Sequence, residues 1–427
     1  MERIVIKNLG PIKEADLDLR RVNVFIGPQA GGKSTIAKAV YLWKSLKGEY
    51  FFPHFFKSEE NLIPRFERFA KEYLYEFFPD SSWRRGANIS IEIDELIKLD
   101  LKRLEKGTNV KLAGKFWLDF LQSPSEMSRK RIGNFDSIKA TEIEKYLADL
   151  GVELNHSKSI VEAFVDSRAR LFIPASRSLI SVLAGQTLNS VKFDPWMGEF
   201  IAYINDQKQW FENGFAELLE KIEDIKGGDI DKVVSSRALD LCDFILKGRY
   251  ETGKGFEGIR ITEDVFIKIS EASSGQQEAV GLLMVLFHEI AWRNKTFVVI
   301  EEPEAHLYPE AQKAMVELLS LMAHAADNQL IITTHSPYIL SAFNNLLYAH
   351  QVGIKEGGKY AEQVSQLIPR ETWLAYEDIG AYFVADGGIR SIMDEELKQI
   401  KAEEIDSASD LINQTYDQLL DLDHEDL

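Results

Sequence analysis

The stretch Gly27-Pro28-Gln29-Ala30-Gly31-Gly32-Lys33-Ser34 sets glycines, a lysine and a hydroxyl at the spacing G-x-x-x-x-G-K-S. Those residue types at that spacing suit a polyphosphate. Glycines let backbone N–H groups turn inward onto an anion, Lys33 brings a mobile positive charge to the β- and γ-phosphates, and the Ser34 hydroxyl is a hard oxygen for Mg²⁺. The flanks fit the same chemistry. Val22-Asn23-Val24-Phe25-Ile26 reads as a strand leading in, and Thr35 to Trp43 leads out with helical spacing and no Gly or Pro. A helix N-terminus behind the loop adds partial positive charge where the phosphates would sit. The expectation is a nucleoside triphosphate held by Gly27, Gly31, Gly32, Lys33, Ser34 and Thr35.

Three later stretches carry groups that could work on such a ligand. Glu271-Ala272-Ser273-Ser274-Gly275-Gln276-Gln277-Glu278 follows a strand-like segment and opens an apolar helix, Ala279 to Ala291. A Ser-Gly turn at a helix start is an anion site by the same dipole argument, and Ser273 or Ser274 would equally serve as a helix cap. Next, Phe297-Val298-Val299-Ile300 reads as a buried parallel strand ending in Glu301-Glu302 and continuing Pro303-Glu304-Ala305-His306. Open α/β sheets place ligands beyond the carboxyl ends of their strands. One carboxylate there can hold a hydrated cation, and the other can orient or deprotonate a water. Gln329-Leu330-Ile331-Ile332-Thr333-Thr334 is a further buried strand, ending in His335-Ser336-Pro337. A lone histidine after a strand is usually structural, but one in this place can reach a terminal phosphate as a polar sensor.

The elements that must position these groups fall into four stretches. Residues 1–48 read as a compact α/β lobe, with strands at Arg3 to Lys7 and Ala15 to Leu19 ahead of the phosphate loop. Residues 49–258 read as a mainly helical insertion, with helical periodicity at Leu62 to Phe78, Ile138 to Leu150 and Gly198 to Ile225. A strand pair, Asn88 to Ile93 and Leu96 to Leu101, interrupts it. Residues 259–349 form a second α/β lobe, and 350–427 an acidic, helical C-terminal region. No heptad run or internal repeat is evident.

Composition narrows the class. With 45% hydrophobic and 28% charged residues in 427, the chain reads as a soluble globular protein of two or three structural regions. The single cysteine, Cys242, excludes an internal disulfide and fits a reducing cytoplasm. Met1 runs directly into strand, without a signal peptide, and the longest apolar stretch, Ala279 to Phe287, is too short to span a bilayer. A cytoplasmic protein with no membrane partner is expected. The net charge of −18 is concentrated: Glu371 to Leu427 holds 16 acidic and 3 basic residues. That region reads either as a solvated helical surface or as a docking surface for a basic partner. The chain's overall acidity therefore does not exclude nucleic acid elsewhere.

In this order, the four motifs resemble the ATP-binding cassette (ABC) class of P-loop ATPases: Walker A at Gly27 to Ser34, signature at Ser273 to Gln277, Walker B at Phe297 to Glu302, and switch His335. The long stretch between Walker A and signature is typical of the SMC, RecF and overcoming-lysogenization-defect (OLD) group. The tract Ile300 to Pro309, with Thr334-His335-Ser336-Pro337 and Ile173-Pro174-Ala175-Ser176-Arg177-Ser178, is similar to OLD-type bacterial ATPases. The resemblance implies ATP and Mg²⁺ as cofactors, Ser34 and Glu301 at the metal, Glu302 as catalytic base and His335 as its companion. It further implies that Ser274, Gly275 and Gln277 meet a nucleotide held by another subunit, with Gln29 and Arg177 lining the site. Glu301 stands where an aspartate is usual, and Gln276 where a second glycine is usual. A head-to-tail dimer, or a higher oligomer, with ATP at the interface follows from the resemblance.

Two outputs are open. One is the sensor subunit of a bacterial antiphage system that controls a separate effector protein. The other is a RecF- or SMC-like ATPase gripping duplex DNA, for which Lys98 to Arg131, with 9 basic and 4 acidic residues, offers a patch that reads equally as a solvated face. Some relatives carry a Toprim nuclease after the ATPase. Here the acidic C-terminal region lacks strand–acid–strand alternation, and Asp421-Leu422-Asp423 has no strand to hold it. An intrinsic nuclease is therefore not expected.

Overall fold

The computed structural model describes residues 2–45, 83–93, 97–104, 107–113, 168–177, 193–226, 231–253 and 256–401, together with positions 68, 71, 72 and 78. The chain opens with β1 (Glu2–Leu9), β2 (Ile12–Leu19), β3 (Val22–Ile26) and α1 (Lys33–Ser45). Next come β4 (Trp83–Ile93), β5 (Ile97–Leu104), β6 (Gly107–Ala113) and β7 (Ala169–Ile173). Helices α2 (Pro195–Gln207), α3 (Phe215–Lys226) and α4 (Lys232–Leu246) precede a small sheet of β8 (Arg249–Gly253), β9 (Phe256–Arg260) and β10 (Phe266–Lys268). The second lobe holds α5 (Ser274–Trp292), β11 (Thr296–Glu301), α6 (Pro309–Ala325), β12 (Gln329–Thr334), α7 (Pro337–Ile354) and α8 (Ala361–Leu367). It closes with β13 (Ile379–Ala385) and β14 (Gly388–Ser391).

The site is organised by a six-stranded sheet of order β14-β13-β3-β12-β11-β7, parallel except for the β13–β14 hairpin. Every residue of β3 and β11 is buried. That is why their sequences are mostly apolar rather than alternating, as strands covered on both faces require; buried Asn23 interrupts β3 and donates to the Arg20 and Leu330 carbonyls. Register aligns their carboxyl ends: Ile26 pairs with Thr334 on one side and Phe383 on the other, and Glu301 pairs with Thr333. The loops carrying Lys33, Glu302 and His335 therefore leave the sheet at one edge.

Helix α1 lies between this sheet and an antiparallel one of order β2-β1-β4-β5-β6, touching β1 and β2 on one side and β7, β11 and β12 on the other. Ile4, Ile6, Ala15 and Leu17 alternate inward from the antiparallel sheet, while their neighbours face out. Across the parallel sheet, α5 is buried on nearly every residue from Glu278 to Ala291 and packs against α2, α3, α4 and α6. A helix surrounded in this way is apolar on all sides over its middle, as α5 is from Ala279 to Phe287.

The structure redistributes the stretches read from sequence. The strand pair expected at 88–101 is β4 and β5. A third strand, β6, extends it, and β4 pairs with β1, Ile4 opposite Ile91. Strand β7 from the same insertion forms the edge of the parallel sheet beside β11. The helical readings at 62–78 and 138–150, and Arg129 to Arg131, fall largely or wholly outside the described residues. The acidic C-terminal region is not helical throughout. Its segment Ile379-Gly380-Ala381-Tyr382-Phe383-Val384-Ala385 is a strand of the parallel sheet, with its acids in the flanking turns at Glu377, Asp378 and Asp386. Among the described residues, no helix is long and apolar enough to cross a membrane.

Because β13 is one of the two strands bonded to β3, a chain ending at Leu367 should lose nucleotide binding although every motif remains. Titration with a fluorescent ATP analogue, alongside thermal unfolding, checks this; a truncated chain that binds as the full one does would contradict the assigned role of β13.

Candidate functional site

The phosphate loop is shaped by close backbone approach. A β-carbon on Gly27 would collide with the carbonyl oxygen of Val384 on β13, and one on Gly31 would lie 2.7 Å from the same oxygen. Gly32 (φ 109°) and Ala30 (φ 59°) bend the chain, the Gly31 amide donates to the Pro28 carbonyl at 3.2 Å, and helical bonding begins with Ile36 N–H to Gly32 O at 3.0 Å. Ala30 holds a left-handed conformation that favours glycine, the kind of strain found where a site demands a backbone shape. Gln29, Ala30 and Ser34 are exposed, Thr35 is half-buried, and Lys33 is buried at 5%. Lys33 Nζ donates to the carbonyls of Gly27 and Pro28, each at 2.9 Å. Burial pulls its ammonium below the ordinary lysine range, against the opposing field of Glu302 and Glu304.

Across the sheet edge, His335 joins the phosphate loop to the Walker B carboxylate. Its Nδ1 lies 3.4 Å from Lys33 Nζ and its Nε2 3.3 Å from Glu302 Oε1. An ammonium only donates, so a hydrogen bond from Lys33 is matched by the neutral tautomer that accepts at Nδ1 and points its Nε2–H at Glu302. The polypeptide leaves β11 through a tight loop in which Glu302 (φ 46°) and His306 (φ 58°) are both left-handed. The Glu302 amide donates to Thr333 O at 2.8 Å. Glu304, read from sequence only as part of the motif, accepts from Thr334 Oγ1 at 2.6 Å and from the His335 amide at 2.8 Å. It fixes the backbone that carries the switch histidine. The third carboxylate of Glu301-Glu302-Pro303-Glu304 was the available signal for it.

Glu301 turns away from this chain of contacts. It is 5% exposed, its Oε2 accepts from the Ala175 amide at 3.2 Å, and its Oε1 is buried without a hydrogen-bond partner. Arg177 packs behind it, donating to the backbone carbonyls of Glu301 and Glu302. A carboxylate oxygen with no protein donor has the chemistry of a Mg²⁺ ligand, as does the exposed Ser34 hydroxyl on the first turn of α1. Among the described residues, no cluster of three or more His, Cys, Asp or Glu could hold a metal unaided. Phosphate oxygens and water would complete the shell.

The signature residues make a different set of contacts. Ser273 is the N-cap of α5, with Gln276 completing a capping box: the Gln276 amide donates to Ser273 Oγ at 3.3 Å and the Ser273 amide to Gln276 Oε1 at 3.1 Å. Gln276 Nε2 also reaches the Leu246 carbonyl at the end of α4, which accounts for a glutamine where glycine is usual. Gln277 folds back on the Ala272 carbonyl. Ser274 is exposed, and Gly275 lies so close to the Walker B loop that a β-carbon would sit 2.5 Å from His306 O.

Phosphate loop, terminal carboxylate and switch histidine, gathered at the carboxyl edge of a parallel sheet, define a P-loop nucleotide-binding head of the ABC type. Residues 22–341 match the family described as "AAA domain, putative AbiEii toxin, Type IV TA system", and the chain belongs to that family. It is 26% identical over 365 residues to the OLD nuclease of Thermus scotoductus, an alignment covering 79% of this chain and 59% of that protein. Similar solved structures include the SMC head domain from Thermotoga maritima, at 14% identity and a TM-score of 0.39, covering 92% of this chain and 98% of that one. Another is an SMC head bound to the C-terminal winged-helix domain of ScpA, at 10% identity and a TM-score of 0.42, with the same coverages.

Substitutions at two positions test the geometry. Gly31→Ala should weaken nucleotide binding and cost about 1–3 kcal/mol of stability through overpacking against Val384. Glu304→Ala leaves two donors unmatched, for a similar cost of about 1–3 kcal/mol, and should lower turnover more than nucleotide affinity by freeing His335. Glu304→Gln keeps an acceptor oxygen and should lose much less. Thermal unfolding, ATP-analogue titration and phosphate release read out all three variants.

Proposed function

We propose that this chain hydrolyses ATP at a site shared head-to-tail between two copies, and that the resulting open–closed cycle controls a separate effector in bacterial antiphage defence. The contact chain Lys33–His335–Glu302 carries the ATPase reading. It brings a phosphate-binding ammonium, a proton-bearing imidazole nitrogen and an accessible carboxylate to one edge of the sheet. In the reaction, Lys33 and the N-terminus of α1 hold the β- and γ-phosphates. Mg²⁺ bound near Ser34 and Glu301 would neutralise charge developing on the transferred phosphoryl group. Glu302 accepts a proton from the attacking water, and the Nε2–H of His335 keeps that carboxylate oriented. Ser274 and Gly275, at the N-terminus of α5, would close over the nucleotide of the second copy, with Gln277 beside them.

The defence role rests on the resemblance to OLD-type ATPases and on the large insertion available to carry motion to a partner. The nuclease named for the Thermus relative belongs to a protein of which this chain covers 59%. A DNA-handling role is the second reading. It is favoured by the basic stretch Lys98 to Arg131, with 9 basic and 4 acidic residues.

Phosphate release per subunit should rise with protein concentration and fall at least about 100-fold in Glu302→Gln. Neither Lys33→Ala nor Ser274→Arg should turn over alone, yet their mixture should recover activity, because one site of the mixed dimer is intact. Failure of the mixture to recover would exclude a shared site, and turnover unaffected by Glu302→Gln would exclude that base. For the output, wild type expressed with its neighbouring gene should reduce phage plating and Lys33→Ala should not. No protection in any host, combined with duplex binding that weakens steeply with salt, would favour the DNA reading.

A further inference from the structure

Arg177 is 3% exposed and lies in the Ala175–Arg177 turn that follows β7. Its Nη1 donates to the Glu301 carbonyl at 2.7 Å and to the Pro174 carbonyl at 3.3 Å, and its Nη2 donates to the Glu302 carbonyl at 2.7 Å. The two terminal nitrogens thus grip consecutive carbonyls at the point where β11 ends and the backbone turns left-handed. That turn is unfavourable for a residue with a β-carbon, and Glu302 adopts it at φ 46°. The residue is held from both sides: its amide by Thr333 on β12, its carbonyl by Arg177.

Arg177 stands in the field of four carboxylates, Glu278, Glu304, Glu302 and Glu301. Glu278 is buried at the start of the second turn of α5, four residues past Ser274, and its Oε1 lies 3.4 Å from His306 Nε2. The loop from Glu302 to His306 is thereby clamped at its start by Arg177 and at its end by the signature helix, through Gly275 and Glu278.

We propose that Arg177 is the positioning residue for Glu302: its fork holds the left-handed turn that aims the carboxylate at the phosphate edge, while Glu278 of the signature helix holds the far end of the same loop through His306. This inference rests on the ATPase reading above, with Glu302 as the base. Lysine cannot replace the arginine, because a single ammonium does not span two consecutive carbonyls in the geometry of a planar fork.

The test measures kcat, KM, ATP-analogue affinity and thermal midpoint for Arg177→Lys, Glu278→Gln, Glu302→Gln and the two double variants with Glu302→Gln. Arg177→Lys should keep nucleotide affinity and lose about 100-fold in kcat, the scale of a misplaced catalytic group. Combined with Glu302→Gln, it should lose nothing further beyond about twofold, since both changes act through one carboxylate. A folded Arg177→Lys with wild-type kcat, or a loss that multiplies that of Glu302→Gln, would overturn the proposal. If Arg177→Lys does not fold, Glu278→Gln decides, being nearly isosteric. It should lower kcat on the order of tenfold at unchanged affinity, again without adding to Glu302→Gln, and an unchanged kcat would overturn the role. Absence of turnover in the wild type would instead remove the ATPase reading itself, and this inference with it.

Discussion

The site depends on a five-residue strand, β3, being hydrogen-bonded on both sides by strands from the far end of the chain. Register with β12 puts Ile26 beside Thr334, so Lys33 and His335 can meet. Register with β13 puts Ile26 beside Phe383, so Val384 presents its carbonyl to Gly27 and Gly31. A slip of one residue in either pairing would turn inward-facing side chains outward and move the phosphate loop off both supports. The glycines of the loop are thus dictated as much by a neighbouring backbone as by the phosphates they would cradle.

Around that strand the acidic groups follow a common pattern. Glu301 and Glu304 each tie one carboxylate oxygen to a donor of the fold and leave the other buried without a partner, and Glu278 leaves its Oε2 in the same state. Buried carboxylates are costly unless hydrogen-bonded or paired with positive charge. Here half of each is anchored, and the remainder lies in the field of Lys33 or Arg177. Anchoring fixes direction, while the remaining oxygen keeps its capacity to interact with a cation.

What could be read from sequence follows from how local each signal is. Strands β3 and β12 are legible to the residue, because short, mostly apolar runs bounded by glycine or histidine leave few alternatives. The phosphate loop, the paired glutamates and His335 were legible as motifs. Strand β13 was not, because its acidic flanks dominated a charge count taken over 57 residues. The joining of β4 to β1 across a long insertion was hidden as well, since pairing partners of an antiparallel strand leave no mark in its composition. Arg177 belonged to a recognisable segment, but its use of two backbone carbonyls carries no signature in the glutamates it serves. Glu304 was visible and unassigned, because a third acid in a motif looks like any other surface charge until its donors are seen.

The distance in sequence between β3 and its two neighbours also bears on the order in which the protein can be assembled. A strand made among the first 26 residues gains its first parallel neighbour only when residues 329–334 have been synthesised, and its second only after residue 379. At ordinary translation rates that second neighbour trails β3 by roughly 20 to 70 s. Until β12 emerges both edges of the strand are unpaired, and until β13 follows one edge remains so, open to mispairing. The phosphate loop is therefore the earliest motif to be written and among the last to be finished, so that ATP can select only for chains whose far end has already come home.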